Sequence, residues 1–402
     1  MRIITKTKYD KDPSTRSFLK DLTTSNISAG MISGTLAIAG PPVIILEAAA
    51  AGNFTYEQTI SWIFSVYFFG ALFGIILSMY YRMPIVGAHS ITGVAFLVMV
   101  TPQFSYSELI GGYILSGIII FLVGVTSFFT KIMSWIPKEI VSAMLAGIIA
   151  TYVVRLIPAL QDMPIVGFSA LFVFFMLKKW DIRIPPVLGA VATALIVLLI
   201  THDIQAYSLG TSYVMPTIQI PEFSLLGAIS ISIPLALLIL SNDATPGIGA
   251  VEQNGFKAPT NRIVSFSGIF SAIAGLFGGQ SANVAGLMSA ICSDDDAGKK
   301  EKRYMASIIS SILILIFAIM AWKLVPFIQE LPESFTSMLA AFVLIGVLSS
   351  SLKMGFSNRH YDLSVIFAFL ISLSGVSFLY LSSPVWALIV GTIIAKTTEK
   401  EK

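Results

Sequence analysis

Charge is scarce in this 402-residue sequence: Asp, Glu, Lys and Arg make up 12% of it, against 55% hydrophobic residues. A water-soluble surface needs about a quarter of its residues charged, so a soluble domain is excluded. Cysteine is almost missing, and the single Cys292 rules out an internal disulfide. Only three histidines occur. No His, Cys and acidic residues stand at metal-ligand spacing, so neither a metal nor any other cofactor is expected. The run "SDDDAGKKEKR" (293–303) reads as a solvated turn. There is no G-x-x-x-x-G-K-[ST] loop, which removes nucleotide-driven pumping. No nucleophile stands beside a base, which removes enzyme chemistry. The net charge of +3 forms no basic patch that would suit nucleic acid. The first 25 residues are polar and carry no apolar centre, so they read as a tail and not as a cleavable signal.

Apolar runs of about 20 residues fill the rest, the mark of a chain that crosses a lipid bilayer many times. Fourteen candidate spans are predicted. Seven lie near 27–51, 56–80, 84–102, 107–130, 138–157, 162–179 and 184–201. Seven more lie near 224–250, 260–276, 277–293, 304–326, 332–352, 361–377 and 380–396. With the tail in the cytoplasm, alternation leaves 23 Lys and Arg inside and only Arg155 and Lys323 outside. That asymmetry predicts a multi-pass protein of the cell membrane with both termini cytoplasmic.

The two halves echo one another. "IVGAHSITGVAF" (85–96) resembles "LFGGQSANVAGL" (276–287), with Gly87 against Gly278 and Ser90 against Ser281. "IPKEIVSAMLAG" (136–147) resembles "LPESFTSMLAAF" (331–342), and "PPVIIL" (41–46) precedes "IPLALL" (233–238) by a similar offset. Repeats of seven spans at 26–203 and 224–397 follow, and an odd number of spans inverts the second copy. The glycine-rich breaks are poor helix material. They predict two short strands leading into half-helices in spans 3 and 10, capped by Ser90 and Ser281, with two positive dipole ends converging on an anion. The expected fold is an all-α polytopic membrane protein of about fourteen spans in a 7+7 inverted repeat.

Ionisable residues inside spans are functional candidates, because a buried carboxylate is costly unless paired, hydrated or protonated. Of 22 acidic residues only Glu47 and Asp243 lie inside spans, and of the histidines only His89. These three are the candidates for carrying a coupling proton. Asp243 stands first, in "LSNDATPGIG" (240–249), where Pro246 and Gly247 loosen the helix. Candidate substrate contacts are His89, Ser90, Thr92, Asn242, Gln280, Ser281 and Asn283.

The combination "TPGIGAVEQNGF" (245–256), "FGGQSANVAGLMSAIC" (277–292) and "KRYMA" (302–306) resembles the benzoate/proton symporter family, the BenE-like permeases. Pro246, Gly247, Ile248, Phe277, Gly278, Gly279, Asn283, Ala290, Ile291 and Cys292 match its pattern, as do Pro84, Ser90 and Gly93 in the third span. The family commonly has Trp at the position of His89, Pro at Thr92, His at Gln280 and glutamine at Asp243. The resemblance implies the fold of uracil and sulfate permeases. In that fold a core (26–133 with 224–327) slides past a gate (137–203 with 332–397), often as a homodimer. It also implies proton-coupled symport of a small organic anion, benzoate or a similar aromatic carboxylate first. A nucleobase-type symporter and an anion channel or exchanger of the sulfate-permease type are the alternatives.

Overall fold

The computed structural model describes residues 19–128, 137–180, 185–202, 213–378 and 381–399. Most of the predicted N-terminal tail lies outside them, as do Lys131, Arg183 and the beginning of the 203–222 connection. Helices occupy part or all of every apolar segment read from the sequence. Among the described residues seven helical stretches, Thr24–Ala51 and Lys138–Asp162 counted as one each, are long and apolar enough to cross a membrane, and three shorter apolar helices accompany them.

The first half contains α1 (Thr24–Ala39), α2 (Pro41–Ala51), α3 (Tyr56–Tyr81), β1 (Gly87–Ala88), α4 (Ile91–Val100) and α5 (Tyr106–Thr126). It continues with α6 (Lys138–Val153), α7 (Leu156–Asp162), α8 (Pro164–Lys179) and α9 (Pro186–Thr201). The second half contains α10 (Leu225–Gln253), α11 (Thr260–Leu276), β2 (Asn283–Val284), α12 (Gly286–Ser293) and α13 (Tyr304–Ile319). α14 (Ala321–Gln329), α15 (Glu333–Gly355), α16 (Asp362–Ser374) and α17 (Ser383–Thr397) complete it.

Local sequence explains the ends. Thr23 with Asn26, Thr55 with Gln58 and Ser105 with Glu108 form reciprocal caps that start α1, α3 and α5. α3 stops at Arg82, which is left-handed (φ 49°), two residues before Pro84. Gly40 and Pro41 split the first span into α1 and α2. α5 packs along α11, and α13 packs on α1 and α3. α6 packs on α15 and α16, and α8 on α9.

Within α10 the backbone widens twice into π-helix, at Ala228–Ser232 and Ile239–Ala244. Pro234 and Pro246 each remove a donor nearby. The Ser241 hydroxyl donates to the Leu237 carbonyl (2.7 Å) and the Thr245 hydroxyl to that of Leu240 (2.8 Å). Both take up carbonyls that the widened ladder shares poorly.

The two strands meet in the interior. β1 and β2 are antiparallel, with Gly87 opposite Val284 and Ala88 opposite Asn283. Extended backbone at membrane depth must have every polar group satisfied. Here serine hydroxyls supply much of what is missing. Ser78 of α3 serves both the carbonyl and the N–H of Ile85 (2.8 and 3.3 Å). Ser271 of α11 does the same for Ala282 (3.2 and 3.0 Å). Ser289 of α12 accepts from Val86 N–H (3.1 Å), and Ser281 from Ser90 N–H (2.9 Å).

The strands form as expected, but their register corrects the match drawn from the sequence. The second half-helix starts at Gly286 behind Ala285, so Ser281 is not its cap. The two caps are Ser90 and Ala285, and the second lies four residues later than the glycine–serine match suggests. Gly278 and Gly279 also do not lie opposite Gly87 in the strand pair, where Val284 stands. A Cβ on Gly279 would strike Ser65 and Val66, and one on Gly278 (φ 93°) would lie 2.7 Å from the Tyr106 hydroxyl. A Cβ on Gly87 would strike the Gly70 carbonyl and lie 2.8 Å from the Gly74 nitrogen. Both glycine-rich breaks therefore let bare backbone pass close to α3, at different turns.

Candidate substrate-binding site

The site is built where α4 begins, β1 and β2 pair, and the second π-helical turn of α10 packs against them. Ser90 caps α4 by accepting from Gly93 N–H (3.0 Å), and its hydroxyl lies 3.0 Å from that of Thr92. The segment Ile239–Ala244 touches β2, α4, α12 and α6. That placement brings the Asp243 carboxyl against the side chains of Ser90 and Asn283. Asp243 Oδ2 and Asn283 Oδ1 have no hydrogen-bond partner among the described residues. Asn283 is fully buried, its amide nitrogen donating to the Val284 carbonyl (3.2 Å). Beside this group, Gly286, Leu287 and Met288 carry the N–H groups that a helix start leaves without intrahelical partners. The cluster can therefore offer both unfilled acceptors and helix-end donors to a small polar guest.

The remaining sequence candidates divide. Gln280 is fully buried and committed: its carbonyl accepts from Trp62 Nε1 (2.6 Å) and its amide donates to the Ser90 carbonyl (3.3 Å). Ser281 is committed to Ser90 N–H. Both brace the loop against α3 and α4, which places them behind the cluster. Asn242 is half-buried and donates to Ser241 (2.9 Å). His89 is 5% exposed, with neither ring nitrogen partnered among the described residues. Its ring meets Tyr67 of α3 edge-on at 4.9 Å. Extended backbone sends successive side chains to opposite sides, so His89 points toward α3 while Ser90 points toward α10. Glu47 is elsewhere, in an ion pair with Arg155.

Sequence reasoning missed the serines that serve the strands, Ser78, Ser271 and Ser289, and the Trp62 that holds Gln280. The serines' only signal is a small hydroxyl on an apolar helix, which helix packing alone also selects, and Trp62 reads as one more large apolar residue of its span.

The family described as "benzoate membrane transport protein" matches this chain over residues 20–397. The chain belongs to that family, BenE. A benzoate membrane transport protein of Acinetobacter baylyi is 28% identical over 375 residues, 93% of this chain and 95% of its own length. The inner membrane protein YdcO of Escherichia coli is 27% identical over 366 residues, 91% of this chain and 93% of its own. Among solved structures, the transmembrane domain of the cyanobacterial bicarbonate transporter BicA superposes with TM-score 0.57 at 16% identity, covering 93% of this chain and 97% of that one. SLC26A9 gives TM-score 0.61 at 14% identity over 94% of this chain and 65% of its own. At those identities the likeness is one of fold. This BenE-family chain is thus a multi-pass membrane transporter and not an enzyme.

Proposed function

We propose that this BenE-family chain is a secondary active transporter that carries a small organic anion together with a proton, an aromatic carboxylate such as benzoate first. The observation that carries the reading is the Asp243 carboxyl facing Ser90 and Asn283, with one oxygen unpartnered, beside the start of two short helices. The guest carboxylate takes the N–H groups at the start of α12 and the hydroxyls of Ser90 and Thr92. Two carboxylates a few ångströms apart repel, so binding an anion favours the neutral form of Asp243. Anion and proton then travel together. Of the three sequence candidates for the proton, Asp243 is the one in contact with the cluster. His89 faces α3, and Glu47 is held by Arg155.

The wider architecture is proposed on the same footing: fourteen spans, both termini cytoplasmic in the cell membrane, and two inverted seven-span repeats. The antiparallel pairing of one strand from each half supports the inversion. The packing of α1–α5 with α10–α13, and of α6 with α15 and α16, supports a core that moves past a gate. A homodimer joined through the gate completes the reading. A passive anion channel or exchanger is the competing reading, favoured by likeness of fold to a bicarbonate transporter.

Uptake into proteoliposomes tests both. Benzoate, aliphatic acids and nucleobases are offered with and without an inward proton gradient. Gradient-driven concentration of benzoate is expected. Uptake that never exceeds equilibrium overturns the symporter and favours the channel, and preference for a nucleobase overturns the substrate class.

A further inference from the structure

Cations are almost absent from the face of the protein opposite the N-terminal tail. The tail face is fixed by Asp21, which pairs with Lys302 (3.4 Å) and accepts from the Tyr304 hydroxyl (2.7 Å). From there α1 and α2 run to the opposite face, where Glu47 lies one turn from the end of α2. α6 reaches the same face and ends two residues before Arg155, which precedes α7. Among the described residues only Arg155 and Lys323 carry positive charge there. Lys323 lies over the Trp322 ring, 4.8 Å from its centre. Arg155 lies over the Tyr152 ring, 5.3 Å from its centre, and pairs with Glu47.

Three features make this pair more than a surface contact. It joins α2, which packs on α4, to the end of α6, so it spans two groups of helices proposed to move apart. Tyr152 donates from its hydroxyl to the Ala95 carbonyl (3.2 Å), which ties the platform under Arg155 to the short helix that begins at the candidate site. The Arg155 side chain is 51% exposed although Glu47 is 25% exposed, so part of its five-donor fork remains open to water. A guanidinium lying over an aromatic ring is suited to the carboxylate of an aromatic acid, by paired hydrogen bonds at its edge and ring contact beside it.

We propose that Arg155 is a capture site for the substrate carboxylate at this face, and that Glu47 occupies it as an internal carboxylate when no substrate is there. The proposal rests on the organic-anion reading given above. An ion pair this open to water is weakly held, so an arriving anion displaces Glu47 at little cost. When α2 and α6 separate, the same exchange leaves Arg155 free to meet benzoate. When they close, Glu47 reclaims it and the captured anion is released toward the start of α4.

The test measures initial benzoate uptake by the full chain, with substrate offered to one face in whole cells and to the other in inverted vesicles. Glu47→Gln removes the competitor and is expected to lower KM about threefold at the Arg155 face alone. Arg155→Gln is expected to raise KM at that face about tenfold, the loss of one charge-assisted contact, with Arg155→Lys falling between. Wild-type affinity at the other face is unchanged by either. If Glu47→Gln and Arg155→Gln shift KM in the same direction, the pair is only a clasp between helices and the capture site is overturned. No change in either variant also overturns it while the transport reading stands. If the wild type moves no benzoate from either face, the transport reading fails and the proposal falls with it. Thermal stability of each purified variant separates lost capture from lost folding.

Discussion

The two short helices that meet at the strand crossing begin differently. α4 starts behind Ser90, whose hydroxyl caps Gly93 N–H. α12 starts behind Ala285, which offers no side-chain cap. One helix start is filled by the protein's own oxygen, and the other is left with its donors unspent. The first is the anchored wall of the site and the second is the open one. Asp243 stands between the two, against Ser90 at the capped start and against Asn283, three residues before Gly286, on the uncapped side. Two helix starts that meet at one strand pair thus differ in what they leave open.

The sharpest break of that comparison is Asp243→Asn. Concentration of benzoate against a gradient should fall to the passive level while binding persists, measured as uptake beside equilibrium binding. Binding should also lose most of its dependence on pH, because the group that must become neutral is gone. Continued accumulation would move the proton elsewhere.

Next in size is bulk at the two glycine breaks. Gly87→Val drives a side chain against the backbone of α3 at Gly70 and Gly74, which cannot retreat. Gly279→Val meets the Ser65 and Val66 side chains, which can turn. Overpacking costs about 1–3 kcal/mol, and Gly87→Val should lie at the upper end. The check is thermal unfolding of both variants in detergent, with the larger drop expected at Gly87.

The caps themselves give a smaller and opposed pair. Ser90→Ala should cost about 1 kcal/mol of stability and weaken benzoate binding. Ala285→Ser should gain a fraction of that, since Ala285 already has extended backbone (φ −94°, ψ 116°). It should nevertheless raise KM, because the new hydroxyl takes a donor from the anion. If Ala285→Ser stabilises without touching KM, the anion does not bind at the open helix start.

Smallest is His89→Gln. Its ring lies on Tyr67 and away from Asp243, so gradient-driven uptake should keep its proton dependence, with only a modest loss of rate. Loss of that dependence would return the proton to His89.

Much of this arrangement is legible in the chain, and its errors have definite physical origins. Apolar runs, proline and glycine breaks and capping residues mark where helices start and stop, because those signals act within a few neighbours. The existence of two strands is legible for the same reason. Their register is not. Gly278 and Gly279 resemble Gly87 in type, and both breaks pass α3, but the second segment takes four more residues before its helix begins. Gln280 reads as a ligand because it is polar in an apolar run. Trp62, 218 residues away, claims its carbonyl. Asp243 reads as a carboxyl inside a span from its place in an apolar run, yet its neighbours Ser90 and Asn283 come from two other segments. Arg155 reads as an ordinary end-of-span cation until the fold brings Glu47 to it.

The two π-helical turns in α10 change how that span must be drawn. An α-helix advances about 100° per residue, and each π turn accommodates one residue more than the α pattern allows. Residues beyond Ala244 are therefore rotated by about two residue steps relative to a regular helix begun at Leu225. A uniform helical wheel across Leu225–Gln253 puts Pro246 and Ile248 on a false face. Removal of a single residue from 239–244 would not sever the span. The widened turn absorbs its extra residue, so removal would restore a regular turn and leave everything after it, Gly247 and its contact with α12 included, on the face it already presents, while the turn that carries Asp243 would be lost.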